Sequence, residues 1–143
     1  MAKIIFVNLP VANVAASTAF YEAIGMVRDA RFSNEQSSAM SWSDEIVFMI
    51  LDKAFYATLS PKQIGDPRTT TTSLIALSFD SRAEVDTIVE RALAAGGTEG
   101  HPAEDLGFMY SRAFEDLDGH AFGPLYMDVD AALTAMAPAA EAA

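Results

Sequence analysis

Phe114-Glu115-Asp116-Leu117-Asp118-Gly119-His120-Ala121-Phe122-Gly123 is the stretch on which the fold turns. Asp118-Gly119 lies between two β-rich runs, and glycine takes the positive φ that a tight reversal demands, so the stretch predicts a hairpin. Two loops fit it. A two-residue Asp118-Gly119 loop pairs Phe114 with Gly123 and turns Arg112 inward. A three-residue loop, with Gly119 as the left-handed bulge residue, pairs Ala113 with Gly123 and turns Arg112 outward. The second is favoured, because it sets Phe114 and Phe122 together under the helices. It leaves Met109, Ser111, Ala121, Gly123 and Leu125 on the opposite face.

Working outward from the hairpin, Phe108 to Glu115 and His120 to Asp128 read as its strands, and Thr98 to His101 as another. Before them, Asp80 or Ser81 caps a helix through Ala95 with apolar face Val85, Ile88, Val89, Ala92 and Leu93, stopped by Gly96-Gly97. Ser73 to Phe79 reads as the strand that precedes it. The first half repeats this plan. Lys3 to Leu9 is a strand closed by Pro10. A helix follows with Asn13 as N-cap, Val14, Phe20, Tyr21 and Ile24 at helical spacing, and Gly25 as stop. Strands are expected at about Val27 to Phe32, Ser38 to Ser43 and Ile46 to Leu51.

The expected architecture is therefore α+β: two β-α-β-β-β modules, about 3–52 and 73–128, in a single domain over 1–130. The connector, 53–72, carries Pro61, Gly65, Pro67 and a threonine run, with a short helix expected near Pro61 to Ile64. One such module leaves a sheet face bare; two can cup their sheets around a shared cavity. The Ala-rich tail, 131–143, is expected to begin as a short helix and to end in disorder.

Composition narrows the function classes. The chain has 143 residues, 20 acids against 9 bases and a net charge of −11, which repels phosphate backbones and anionic lipid. No nucleic acid and no membrane surface are expected as partners. The longest apolar run, Ile46 to Leu51, is too short to span a bilayer, and the N-terminus makes a poor signal peptide. The absence of cysteine rules out disulfides, thiolate catalysis and Cys-ligated metal. A cytoplasmic location is the expectation.

Several local patterns resemble the glyoxalase, bleomycin-resistance and extradiol-dioxygenase superfamily, whose fold is the vicinal oxygen chelate fold. Asn8-Leu9-Pro10-Val11, Ser17 and Phe20-Tyr21 ahead of Gly25 look like its first strand and helix. Leu74 to Phe79 looks like its fifth strand, Ala94-Ala95-Gly96-Gly97 like the end of its second helix, and Asp116-x-Asp118-Gly119 like its signature hairpin. Gly107-Phe108-Met109-Tyr110 with Phe114 to His120 resembles its uncharacterised "predicted lactoylglutathione lyase" branch. The likeness covers residues 3 to 128.

The resemblance implies a small-molecule ligand and, by analogy with paired members, a homodimer. It also implies where metal-dependent members hold their ion. Those positions fall on Phe6, Met49, Leu74 and Gly123, none of which offers the oxygen or imidazole donors a hard divalent cation takes. The expectation is a protein without a metal or other cofactor. Strand parity places Ile5, Val7 and Leu9 beneath a helix and Phe6 and Asn8 on the other face. Phe6, Asn8, Trp42, Met49, Leu74, Met109, Ser111 and Gly123 are then the candidate ligand-binding residues.

His101, Tyr110, Arg112 and His120 are secondary candidates: a strand-end His near Glu104 and Asp105, a phenol, a cation and a His after the turn. Asp116 and Asp118 are turn residues, since the twelve-position calcium loop with its closing Glu is missing. The leading function is a metal-independent small-molecule-binding protein. The alternative is a glyoxalase-like lyase, isomerase or dioxygenase with a relocated site built on His101, Glu104, Asp105 or His120. Catalytic residues are not assigned.

Overall fold

The computed structural model describes residues 2–137. The first module contributes β1 (Ile5–Val11), α1 (Val14–Ala23), β2 (Val27–Arg28), β3 (Ser37–Ser41) and β4 (Ile46–Asp52), followed by α2 (Lys53–Leu59). The second contributes β5 (Leu74–Phe79), α3 (Arg82–Ala94), β6 (Thr98–Glu99), β7 (Glu104–Asp105), β8 (Met109–Ser111), β9 (Phe114–Glu115) and β10 (Ala121–Met127), with α4 (Val129–Ala135) after it. The architecture is α+β, with two curled, open sheets. In each module the first strand runs parallel to the last: β1 beside β4, and β5 beside β10.

The chain's own chemistry sets these elements. Asn13 accepts from the Ala16 amide at 3.0 Å to start α1, and Gly25 ends it at φ +109°. Ser81 accepts from the Glu84 amide at 3.2 Å while Glu84 accepts from the Asp80 amide at 2.8 Å, a reciprocal cap for α3. The helices bury Phe20 and Tyr21 from α1, and Val85, Ile88, Val89 and Ala92 from α3. Leu93, expected on the same face, is largely exposed.

One core serves both modules. Phe114 and Phe122 stack with centroids 5.1 Å apart, Phe122 meets Tyr21 at 6.0 Å and Phe48 at 5.8 Å, and Phe20 meets Phe114 at 6.3 Å. Each such ring contributes roughly 1.5–3 kcal/mol on burial. Rings from both halves interlock, so neither sheet closes its own core.

The differences from the sequence reading have local causes. β1 does not stop at Pro10 but runs to Val11. It is an edge strand bonded to β4 alone. The Pro10 carbonyl points off that free edge toward His120, and its nitrogen shares the direction, so no ladder bond is lost. The strand expected over Phe108 to Glu115 breaks at Arg112–Ala113. Opposite lies Pro124, which accepts from the Arg112 amide at 3.0 Å but has no N–H to return. The strand expected at Val27 to Phe32 is two residues long and passes into a 3-10 turn, Ala30–Phe32, which Asp29 caps.

No helix forms near Pro61. The connector's helix is α2, started by Asp52, which accepts from the Ala54 amide at 2.7 Å. That cap was readable directly after a strand. In the tail, α4 occupies Val129–Ala135. The end of the 131–143 tail, for which disorder was expected, falls on residues 138–143, which lie outside those described.

Candidate functional site

The helices cover one side of each sheet and leave the other open. On the open side Phe6 is 56% exposed and Leu74 69% exposed, while Met49 is half-buried. Asn8 sits opposite Met49 in the β1–β4 register, and Phe6 opposite Val47. In the second sheet Gly123 lies opposite Ala76, and Ser111 opposite Leu125. A Cβ built on Gly123 would lie 3.9 Å from Leu74 Cδ1, so positions 74 and 123 look toward each other across one face. Met109 and Ser111, opposite Met127 and Leu125 further along β10, are half-buried. Trp42 stands apart. Its ring meets Phe79 edge-on at 5.6 Å and packs against the core, on the helix-covered side.

The hairpin adopts the three-residue loop. Phe114 pairs with Phe122 and Glu115 with Ala121, the Asp116 amide donates to the His120 carbonyl at 3.0 Å, and Gly119 takes φ +98°. Arg112 accordingly faces away from the open side. It donates to Asp86 at 3.1 Å and Glu99 at 2.6 Å, and Tyr110 donates to the same Asp86 oxygen at 2.6 Å. The Tyr110 hydrogen bond, aided by Arg112, lowers the Asp86 pKa. The Glu99 and Asp86 bonds raise that of Arg112. These residues form a structural cluster between α3 and β6.

The loop itself is a clasp between modules. Asp118 accepts from the Ala12 amide at 2.9 Å and from the Ser17 hydroxyl at 3.4 Å, both at the start of α1. Tyr21 donates to Asp116 at 2.5 Å. Burial, and then the Asp116 charge, push the Tyr21 hydroxyl well above its ordinary pKa. Arg68, from the connector, donates to the Leu117 and Asp118 carbonyls. The aspartates read as turn residues thus hold the two halves together.

The two histidines part company. His101 is exposed, with Nδ1 2.8 Å from the Pro102 carbonyl. Asp105, its suggested partner, is bonded to Arg82 and to the Gly107 amide. His120 is buried, 5% exposed, and donates from Nε2 to the Pro10 carbonyl at 2.7 Å. The sequence reads it only as a His after the turn; its contact with β1 has no local sequence signal.

Among the described residues no group of three or more His, Asp or Glu side chains is placed to hold a metal ion. The positions that the sequence resemblance set against metal ligands, Phe6, Met49, Leu74 and Gly123, carry a phenyl ring, a thioether, an isobutyl group and no side chain at all. That donor set does not fit a hard divalent cation. Among the described residues no helix is long and apolar enough to cross a membrane.

Residues 3–123 match the sequence model of the Glyoxalase/Bleomycin resistance protein/Dioxygenase superfamily. No curated protein sequence matches the chain. Among solved structures, a hypothetical protein from S. aureus is similar at 23% identity and TM-score 0.75, over 88% of this chain and 95% of that one. A glyoxalase/bleomycin resistance protein/dioxygenase family enzyme from Burkholderia phytofirmans aligns at 19% identity and TM-score 0.72, over 88% and 99%. The fosfomycin resistance protein FosX from Listeria monocytogenes aligns at 22% identity and TM-score 0.64, over 91% and 97%. At these identities the likeness speaks for the fold.

Proposed function

From the premise that this chain belongs to the glyoxalase/bleomycin resistance protein/dioxygenase superfamily, we propose that it is a metal-independent small-molecule-binding protein. The open face formed by Phe6, Asn8, Met49, Leu74, Met109, Ser111 and Gly123 would receive a largely apolar or aromatic ligand. One observation carries the reading: Phe6 and Leu74, which the resemblance sets against the family's ion-holding positions, are more than half exposed. Exposed large apolar side chains on an uncovered sheet face support a binding surface. Asn8 and Ser111 supply polar points that orient a ligand.

Turnover is not part of the reading, because Arg112 is held by Asp86 and Glu99, and Asp105 by Arg82. The same exposed face supports pairing of two copies, and the expected location is the cytoplasm. Light scattering of the purified chain measures the first of these directly.

The binding reading is tested with a thermal-shift panel of aromatic compounds, run with and without a chelator. A ligand should raise Tm equally in both conditions, and Leu74→Asp should abolish the shift. A shift that depends on added divalent metal refutes metal independence. A shift that survives Leu74→Asp places the ligand elsewhere.

A further inference from the structure

Asp118-Gly119, at the tip of the hairpin that clasps the two modules, is the only Asp-Gly or Asn-Gly pair in the sequence. Such a pair carries its own chemistry. The Asp carboxyl carbon is at the right reach to close a five-membered ring with the next main-chain nitrogen, and glycine has no Cβ to shield that nitrogen.

The fold holds the two reacting groups to other tasks. The Asp118 carboxylate crosses the seam to accept from the Ala12 amide at 2.9 Å and the Ser17 hydroxyl at 3.4 Å. The Gly119 amide donates to the Asp116 carbonyl at 3.2 Å. Asp116 Oδ1 also accepts from the amides on either side of Gly119, from Asp118 at 3.0 Å and from His120 at 2.8 Å. The connector closes over the glycine. A Cβ built on Gly119 would lie 2.8 Å from Arg68 Cγ and 3.1 Å from the Pro67 main chain, and Arg68 donates to the Leu117 and Asp118 carbonyls. Ring closure therefore requires Asp118 to release the β1–α1 corner, and the Gly119 peptide to turn where the connector leaves no room.

We propose that Asp118-Gly119 is a covalent modification site that converts spontaneously to isoaspartate when, and only when, the seam between the modules opens. In the opened hairpin the Gly119 nitrogen attacks Cγ of the protonated Asp118 carboxyl. The new C–N bond forms, and the amide proton and the carboxyl hydroxyl leave as water. Water then adds back to the cyclic imide. Addition at Cγ restores aspartate. Addition at the Asp118 main-chain carbonyl carbon breaks its bond to the Gly119 nitrogen, and the chain thereafter runs through the side chain. One water is lost and one regained, with no oxidant or cofactor.

The product does not re-form the clasp. Cγ has become a neutral peptide carbonyl, so the charged acceptor for Ala12 and Ser17 is gone. The main chain is longer by one carbon, and the new carboxylate stands on the carbon whose oxygen Arg68 holds. Opening of the seam is thereby fixed as a lasting covalent change. The site is independent of whatever the open face binds.

The test ages the purified chain at neutral pH, folded and in urea, in water enriched in oxygen-18. Trypsin releases Ala113 to Ala143 as one peptide, because no Lys or Arg follows Arg112. Imide hydrolysis leaves a heavy oxygen in that peptide, and Asp-N protease no longer cuts before position 118 once it is isoaspartate. The folded chain should convert at least about a hundredfold more slowly than the unfolded one, since the Ala12 bond and the Arg68 ties each lower the opened population by about tenfold. Arg68→Ala should then speed conversion in the folded chain by about tenfold, and Ser17→Ala by about threefold. Asp118→Glu, whose longer side chain does not close the five-membered ring, should block it. The isoaspartate form, separated by chromatography, should unfold at lower urea than its parent. If a variant fails to fold, the wild-type comparison of folded and urea samples decides alone. Equal rates in those two samples, no isoaspartate at position 118 in urea, wild-type rates in both folded variants, or an unchanged urea midpoint for the isoaspartate form would each overturn the proposal.

Discussion

Asp118→Ala tests whether the signature hairpin holds the two modules together. The carboxylate accepts from the Ala12 amide at 2.9 Å and from the Ser17 hydroxyl at 3.4 Å. The first is a short bond to a charged acceptor, worth about 1.5–3 kcal/mol. The second is long and contributes below about 1 kcal/mol. Truncation also strands the Ser17 hydroxyl, which is 2% exposed. The Arg68 contacts to the loop use main-chain carbonyls and survive, so the expected loss is about 2–4 kcal/mol.

Losing one carboxylate from a chain of net charge −11 relieves some self-repulsion. The measured loss is therefore a lower bound on the clasp, and about 0.15 M salt keeps the correction small. In urea the midpoint should fall with m unchanged. At about 3–5 °C per kcal/mol for a chain of this size, Tm should drop by roughly 10 °C. Asp118→Asn keeps an oxygen for the Ala12 amide and should lose only about 1 kcal/mol. A loss below about 0.5 kcal/mol for Asp118→Ala refutes the clasp, because such a value is typical of an ordinary surface position.

Glycine positions give a matched pair. At Gly97 an added Cβ would lie 2.5 Å from the Glu115 carbonyl and 3.0 Å from that of Ala92. Gly97→Ala should therefore cost about 2–3 kcal/mol by denaturation. Gly123→Ala meets nothing nearer than 3.9 Å and should stay within about 0.5 kcal/mol. Since positions 74 and 123 face each other, Gly123→Glu with Leu74→His should bind Zn²⁺ at least about tenfold more tightly than the parent by calorimetry, as expected when two donors replace none. Unchanged affinity would mean that the open face is not the family's ion-holding face.

Tyr21, whose pKa is raised first by burial and then by Asp116, sets an alkaline limit. The unfolded chain releases that proton first, near pH about 10, so its share of stability is intact below that pH and drains away above it. Denaturant midpoints measured across pH 8 to 12 should fall less steeply in Tyr21→Phe, and equal slopes would assign the loss to other groups.

What the sequence made legible followed from spacing along one chain. The Asp118-Gly119 pair and a preference for Phe114 beside Phe122 were enough to place Arg112 outside; strand parity did not hold at the start of β1, where Ile5, expected beneath a helix, is 55% exposed and Phe6 56%. What escaped were contacts between residues far apart in the chain. Asp118 looks like turn chemistry because its neighbours are a leucine and a glycine. Its partners, Ala12 and Ser17, are more than a hundred positions away. His120 reads only as a His after the turn for the same reason, yet its ring is bonded to Pro10.

Both long-range bonds end at the β1–α1 corner. A hairpin that only reversed the chain would leave that corner free to shift. With Asp118 and His120 holding it from one side, and Arg68 tying the connector to the loop, three segments are locked in one arrangement. It follows that Asp118→Ala should speed amide hydrogen exchange at Ala12, whose N–H loses its acceptor, while leaving aromatic binding on the open face in place.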